Sequence, residues 1–273
     1  MFICFGLPKS GTTFLQRILD SHPDVSCPSE QDFDFLLQRL QGCISDYNNV
    51  LALINSRIGA PPLRLIQSDD FSAISGAIIK EVILSLANGK KIAGANDNGA
   101  VRNLPFFDTA FDNLKTICIF RHPLDRAVSA WHHNIHLSEI ENNPKHREIM
   151  MDAGGFDGWI LQAAEIFEQH VQDYFAFSDQ PRDALAIRYE DLVDDRRGQI
   201  ELVFRFLGAN TEQLVLDPIF QKTSFGRMRA ESTKPSFFRK GVYGHWQEEV
   251  CSITAQKAML VASSSLKRLG YQP

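Results

Sequence analysis

The apolar run Phe2-Ile3-Cys4-Phe5 stops at Gly6, and Gly11-Thr12-Thr13 follows five residues later, where a helical pattern begins. A short, fully apolar segment bounded by glycine reads as a strand buried on both faces. A helix directly after it reads as the opening of a βαβ unit. That opening constrains the rest of the chain, because each further parallel strand needs a crossover connection. The sequence supplies them. Apolar runs at residues 91–95, 116–120 and 184–189 alternate with helical patterns at 12–19, 69–87, 123–136, 156–177, 192–207 and 252–269. Pro123 stands at a first helical position, and Gly89, Gly208 and Gly270 stand just past helix ends. The expected architecture is one α/β domain, a mostly parallel sheet with helices on both faces. Residues 137–155 and 211–243 read as long loops, which in a compact domain are usually functional.

Composition narrows the function classes. A chain of 273 residues, 44% apolar and 22% charged, can bury roughly 70–75% of its unfolded surface. It needs no disulfide or metal staple. Charges such as Lys80 and Glu81 break the apolar stretches, leaving no run of about 18 residues that could span a membrane. The net charge of −5 argues against a general nucleic-acid binder. It leaves room for one local basic pocket that takes a small polyanion. Cys4, Cys27, Cys43, Cys118 and Cys251 are scattered and lack metal-ligand spacing, as expected for buried thiols in a reducing compartment. Met1 runs straight into the first strand without a basic, then apolar, leader, so the expected location is cytoplasmic.

Gly6-Leu7-Pro8-Lys9-Ser10-Gly11-Thr12-Thr13 has the glycine spacing of a phosphate loop. Glycines let the chain curl so that backbone N–H groups turn inward, and the helix N-terminus adds positive potential. The lysine of nucleotide hydrolases would stand at Thr12. Here the loop's one lysine is Lys9. An incidental strand–turn–helix junction is the alternative; Lys9, Ser10 and the two threonines favour an anion cradle. Arg121 ends the 116–120 run, at the strand end where open α/β sheets bind ligands, and Ser129 follows eight residues on. An arginine and a hydroxyl that converge can grip a phosphate. Arg239-Lys240-Gly241 sets two more cations beside a glycine.

Together these segments resemble the sulfotransferases that use 3′-phosphoadenosine 5′-phosphosulfate (PAPS). Pro8-Lys9-Ser10-Gly11-Thr12-Thr13 is similar to their 5′-phosphosulfate loop, and Arg121…Ser129 to their 3′-phosphate motif. Arg239-Lys240-Gly241-Val242-Tyr243-Gly244-His245-Trp246 is similar to their R-K-G-x-x-G-x-W segment, although Gln247 stands where a basic residue is the more frequent. Thr223-Ser224-Phe225 matches a Thr-Ser-Phe whose phenylalanine covers the adenine. Tyr189-Glu190-Asp191 matches a Tyr-Glu-Asp beside the base, and Phe14 stands where the family places a stacking tryptophan. The likeness runs from Phe2 to about Trp246. It implies a three-layer, P-loop NTPase-like fold forming a single sulfotransferase domain over residues 1–273. It also implies PAPS as co-substrate, held by Lys9, Ser10, Gly11, Thr12, Thr13, Phe14, Arg121, Ser129, Tyr189, Thr223, Ser224, Phe225, Arg239, Lys240 and Gly241, with no metal. The implied reaction moves a sulfuryl group to a hydroxyl or amine and releases adenosine 3′,5′-bisphosphate (PAP). Two other readings are a P-loop kinase and an inactive nucleotide-binding protein of the same fold.

Such a transfer needs a group to take the acceptor's proton. Cytosolic members use a histidine before the arginine strand, yet residues 96–114 contain no histidine. The run Leu19-Asp20-Ser21-His22-Pro23-Asp24-Val25-Ser26-Cys27-Pro28-Ser29-Glu30 resembles the segment that carries the glutamate base of protein-tyrosine sulfotransferases, and Glu30 falls at the matching position. Asp32 and Asp34 are reserves, His132 and His133 weaker candidates. A helix-start role for Glu30, with Ser29 as cap, is the structural alternative. The tyrosine enzymes' Lys-Asp pair is missing: Ala95-Asn96-Asp97-Asn98 has no lysine, though Asp97 is placed to line an acceptor site. Phe33, Phe35, Leu36 and residues 137–155 are expected to shape that site, for a small-molecule, carbohydrate, lipid or peptide acceptor.

Overall fold

Side chains along β1 (Phe2–Phe5) alternate between two apolar layers, and the fold is built outward from that alternation. The computed structural model describes residues 1–58, 61–140, 142–230 and 242–272, without the side chains of Phe225 and Arg229. Its sheet has β2 (Val25–Ser26), β3 (Ile92–Asn96), β1, β4 (Lys115–Phe120) and β5 (Ala184–Arg188) side by side in that order, all parallel. Cys4 is level with Asn96 of β3 and Ile117 of β4, so β1 and β3 end nearly together while β4 runs on to Phe120 at the same rim.

Helices make every crossover. The first is α1 (Thr12–Asp20), leading to β2; α2 (Phe33–Asn55) and α3 (Ser68–Ser85) lead to β3. A single 3-10 turn at Ala100–Asn103 and α4 (Leu104–Ala110) lead to β4. Then α5 (Pro123–Glu139), α6 (Pro144–Asp152) and α7 (Gly155–Ser178) lead to β5. The chain continues through α8 (Tyr189–Asp194), α9 (Arg196–Leu207), α10 (Gln213–Lys222) and α11 (Phe225–Ala230). Beyond residue 241 come α12 (Trp246–Glu249), α13 (Ser252–Val261) and α14 (Ser263–Arg268). Ile3, Phe5, Cys118 and Phe120 face a layer that contains Ile79, Phe107, Val128, Phe167 and Ala258. Phe2, Cys4, Ile117 and Ile119 face Leu15, Ile18, Val203 and Phe204. A sheet buried on both faces explains why the strands read as continuous apolar runs.

The helices the sequence left unmarked have local causes. In α2 only Phe33, Leu37 and Leu51 are buried, too sparse a set to read as an apolar stripe; Asp32 caps it by accepting from Phe35 N at 3.0 Å. The stretch read as a loop at 137–155 contains α6, begun by Pro144 and capped by Asn143 Oδ1 on Lys145 N. The one at 211–243 contains α10, whose pattern Pro218 interrupts, and α11. The helix expected at 192–207 divides at Asp195, which caps α9 by accepting from Gly198 N. Cys4, Cys27 and Cys118 are buried as expected, whereas Cys43 and Cys251 are exposed. No helix among the described residues is long and apolar enough to cross a membrane.

Phe167 on α7 is 1% exposed in the layer over Phe5 and Phe120. Phe167→Ala should cost about 3–5 kcal/mol, read as a lower urea midpoint at unchanged slope.

Candidate active site

The loop between β1 and α1 is shaped by close approach. A Cβ at Gly6 would run into the carbonyl of Ile119, and one at Gly11 would sit 2.5 Å from the Tyr189 ring. Gly11 also has φ +99°, and Lys9 has φ +73°, a region glycine enters freely and other residues seldom do. Ser10 N donates to Leu7 O at 3.0 Å and closes the turn. Ser10 and Thr12 are buried and Thr13 is half-buried. No side chain caps α1, which leaves its first amides directed at the loop's hollow, an arrangement suited to an anion.

Arg121 leaves β4 beside this loop. Its Nη1 donates to Lys9 O at 3.3 Å and its Nη2 to Val242 O at 3.2 Å, and the guanidinium lies 4.6 Å from the Tyr189 ring centre. Its Nε is buried without a hydrogen-bond partner among the described residues. Burial, with Arg121 nearby, brings the Lys9 ammonium down to about 8. Phe14 and Tyr189 meet edge to face with ring centres 6.4 Å apart. Lys9, Gly11, Phe14, Arg121 and Tyr189 therefore share one corner.

Ser129 lies half-buried on the second turn of α5. Thr223 and Ser224 are placed otherwise. Thr223 is buried with Oγ1 donating to Ile219 O, and it lines a smaller cleft, about 240 Å³, with Gln16, Arg17, Asp20 and Met228. Ser224 O accepts from Met228 N within α11. The Phe225 side chain and residues Arg239, Lys240 and Gly241 lie outside the described residues. The chain just beyond them is fastened: Gly244 N donates to Asp125 Oδ2 at 2.7 Å, and Tyr243 Oη to Asp194 at 2.5 Å.

The ends of β2 and β3 form the opposite half. Gln31 N donates to Asn96 O, and Phe33 N to Asp97 Oδ2 at 3.0 Å. Asp97 Oδ1 accepts from Gly99 N at 2.8 Å. This clamp sets Glu30 on the rim, exposed, with Oε1 accepting from Asn98 Nδ2 at 2.6 Å. Glu30 stands before the helix, since Asp32 rather than Ser29 is the cap of α2. Glu30, Asp32, Asp34, Asp97 and Asn98 line a cleft of about 720 Å³ with Leu7 and Pro8 of the loop and His170 and Asp173 of α7. Of the side chains expected to shape it, Phe33 is buried in the core and Phe35 is exposed; neither they nor Leu36 line it. His132 pairs with Glu249 at 2.5 Å. Sequence reasoning missed Asn98, His170 and Asp173, and His170 has no signal beyond its place on a helix face. Among the described residues no cluster of three or more His, Cys, Asp or Glu could hold a metal ion.

A glycine-framed loop at a helix start, with an arginine from the next parallel strand closing over it, defines the class of α/β proteins that clasp an anion at the strand ends. Within that class the chain belongs to the sulfotransferase domain family, which matches residues 1–270. Similar relatives include sulfotransferase 1A1 of Bos taurus, 27% identical over 177 residues, and the 3-beta-hydroxysteroid sulfotransferase of Cavia porcellus, 25% identical over 175; each match takes in 58% of this chain. It spans 56% and 58% of those relatives' own lengths. A mouse sulfotransferase solved with PAP superposes with a TM-score of 0.59 at 18% identity, over 97% of this chain and 84% of the other. The sulfotransferase domain of the curacin biosynthetic pathway gives 0.54 at 16%, over 100% and 98%. The fold is the P-loop NTPase-like one of these sulfotransferases.

Burial, opposed by the amides of Gly99 and Phe33 and assisted by Asp32 and Glu30, raises the Asp97 carboxyl to about 6. An acid raised in the fold binds its proton more tightly there than in the unfolded chain. Stability should therefore fall by about 3 kcal/mol as pH rises from 4 to 6 and stay lower above that. Urea unfolding across that range should show this decline in the native protein and a flatter profile in Asp97→Asn.

Proposed function

We propose that the chain moves a sulfuryl group from PAPS to a hydroxyl or amine acceptor. The observation that carries this reading is the convergence of Lys9 and Arg121 on the mouth of an uncapped helix. The residues suit the co-substrate: Arg121 Nε is buried and unpartnered among the described residues, and the loop packs so closely on Tyr189 that a side chain at Gly11 would run into its ring. Lys9, Ser10, Gly11, Thr12 and Thr13 would hold the 5′-phosphosulfate, and Arg121 with Ser129 the 3′-phosphate. Phe14 and Tyr189 would flank the base, joined by Phe225 as the family likeness implies. Arg239, Lys240 and Gly241, outside the described residues, would complete the set as the family likeness implies. Bound there, PAPS supplies the sulfuryl group, and the bond from sulfur to the 5′-phosphate oxygen is the one that breaks.

Glu30 is the base. It removes the proton from the acceptor's attacking oxygen or nitrogen as the new bond to sulfur forms. Lys9 and the amides of the loop stabilise the charge that gathers on the leaving phosphate oxygen. Leu7 and Pro8 connect the two halves, since they border both Lys9 and the cleft that Glu30 lines. The chain functions as one catalytic domain. The free thiols of Cys4, Cys27, Cys43, Cys118 and Cys251 suit a reducing compartment, and on that ground the chain is placed in the cytoplasm.

Lys9 must be protonated to hold an anion, and in the free protein its ammonium titrates at about 8. PAP binding above that pH takes up a proton, so affinity should fall by up to about tenfold per pH unit between 8 and 10. In calorimetric titrations without Mg²⁺, Lys9→Met should remove this dependence, and Arg121→Ala should weaken binding at pH 7 by about tenfold or more. A protein indifferent to PAP would overturn the reading.

Glu30→Gln should abolish turnover with labelled PAPS while PAP affinity stays within about twofold, the pattern of a group that acts only on the acceptor's proton. Retained turnover would transfer the role to Asp34 or Asp32.

A further inference from the structure

The cleft beyond Leu7 and Pro8 has walls that proton removal alone does not require. Five carboxylates line it, those of Glu30, Asp32, Asp34, Asp97 and Asp173, against one arginine, Arg102. Arg102 Nη2 lies 3.9 Å from Asp34. The hydrogen-bond partners of the other four are neutral: Asn98 on Glu30, the Phe35 amide on Asp32, the Phe33 and Gly99 amides on Asp97, and Gln169 on Asp173. No cation among the described residues comes within 4 Å of any of these four.

A second feature of the same wall is independent of charge. His170 is 4% exposed, and its Nε2 meets Cys118 Sγ at 3.6 Å. Its Nδ1 has no partner among the described residues, and neither has the buried Asn98 Oδ1. A buried polar atom left without a partner carries a desolvation cost that a ligand can remove. Burial, with Arg126 nearby, holds this imidazole down at about 3 and therefore neutral. It adds hydrogen-bonding capacity to the wall without offsetting the carboxylates. Leu7, Val101 and Ile166 supply apolar surface between these groups.

The two halves of the site thus carry opposite charge. Lys9 and Arg121 stand just past the ends of β1 and β4, and the carboxylates stand past the ends of β2 and β3 and on α2 and α7. A cleft lined by one sign of charge gathers ions of the other. A polyanionic donor is attracted to the first half and repelled from the second.

Building on the sulfotransferase reading, we propose that the acceptor is a small organic cation, a compound bearing a protonated amine at some distance from the hydroxyl that receives the sulfuryl group. Its ammonium sits among Asp34, Asp97 and Asp173, its apolar body against Val101 and Ile166, and its hydroxyl toward Glu30. His170 Nδ1 and Asn98 Oδ1 receive its remaining polar groups. The cleft then excludes carboxylated or phosphorylated acceptors by charge.

The test is calorimetric titration of the full chain loaded with PAP, using three phenols of similar size: tyramine, 4-ethylphenol and 3-(4-hydroxyphenyl)propionate. Tyramine should bind about tenfold or more tighter than the carboxylate, with the neutral phenol between them, and 0.5 M salt, a roughly 4 Å screening length, should narrow the gap. Asp173→Asn should weaken tyramine by about three- to tenfold and leave 4-ethylphenol unchanged. Equal affinities, a preference for the carboxylate, or no tyramine binding to a protein that does bind PAP would overturn the proposal while sparing the donor reading. A protein that fails to bind PAP would instead overturn the donor reading, and a tyramine preference measured on it would still support the charge assignment of the cleft.

Discussion

Lys9 and Arg121 carry like charges, and the pairing of β1 with β4 forces them to the same rim of the sheet. Neighbouring cations in a half-buried corner repel each other, and the lowered Lys9 ammonium records both the burial and the repulsion. The arrangement persists because the strands beneath it are locked between two apolar layers, with Phe5 and Phe120 on one side and Cys4 and Ile119 on the other. Hydrophobic burial in the sheet holds that repulsion in place. An anion that relieves it stabilises the whole fold by mass action.

The carboxylate half is held differently. Glu30 has little packing of its own; its position follows from backbone bonds that join the chain after β2 to the chain after β3. Asp97 is the centre of that clamp. One oxygen takes the first amide of α2 and the other takes Gly99 N, so a single buried side chain ties two crossover connections together. The raised Asp97 carboxyl is the energetic trace of placing that charge in the interior.

The parts of this molecule that were legible in the sequence are those governed by local rules. Strands buried on both faces wrote themselves as unbroken apolar runs, and Gly6, Gly11 and Pro123 punctuated them. The Lys9 loop and Arg121 were legible because short motifs fix them at strand ends. What was hidden depended on partners distant in the chain. The sparse burial of α2 gave no periodic stripe, and Pro218 masked α10. Phe33 looked like a pocket residue but is spent in the core, while His170 and Asp173 reach the cleft only because α7 packs across the sheet. No spacing rule within a helix announces which of its turns will face a cleft.

Because β1 lies between β3 and β4, the two halves hang from separate edges of one central strand. Under the proposed function, the cations serve a donor common to the family and the carboxylate wall serves an acceptor particular to this chain. Inheritance can then act on them separately. Replacements at Asp34, Val101 or Asp173 can retune what is sulfated without disturbing the loop that grips the nucleotide, so descendants can diversify in substrate while keeping a common fuel.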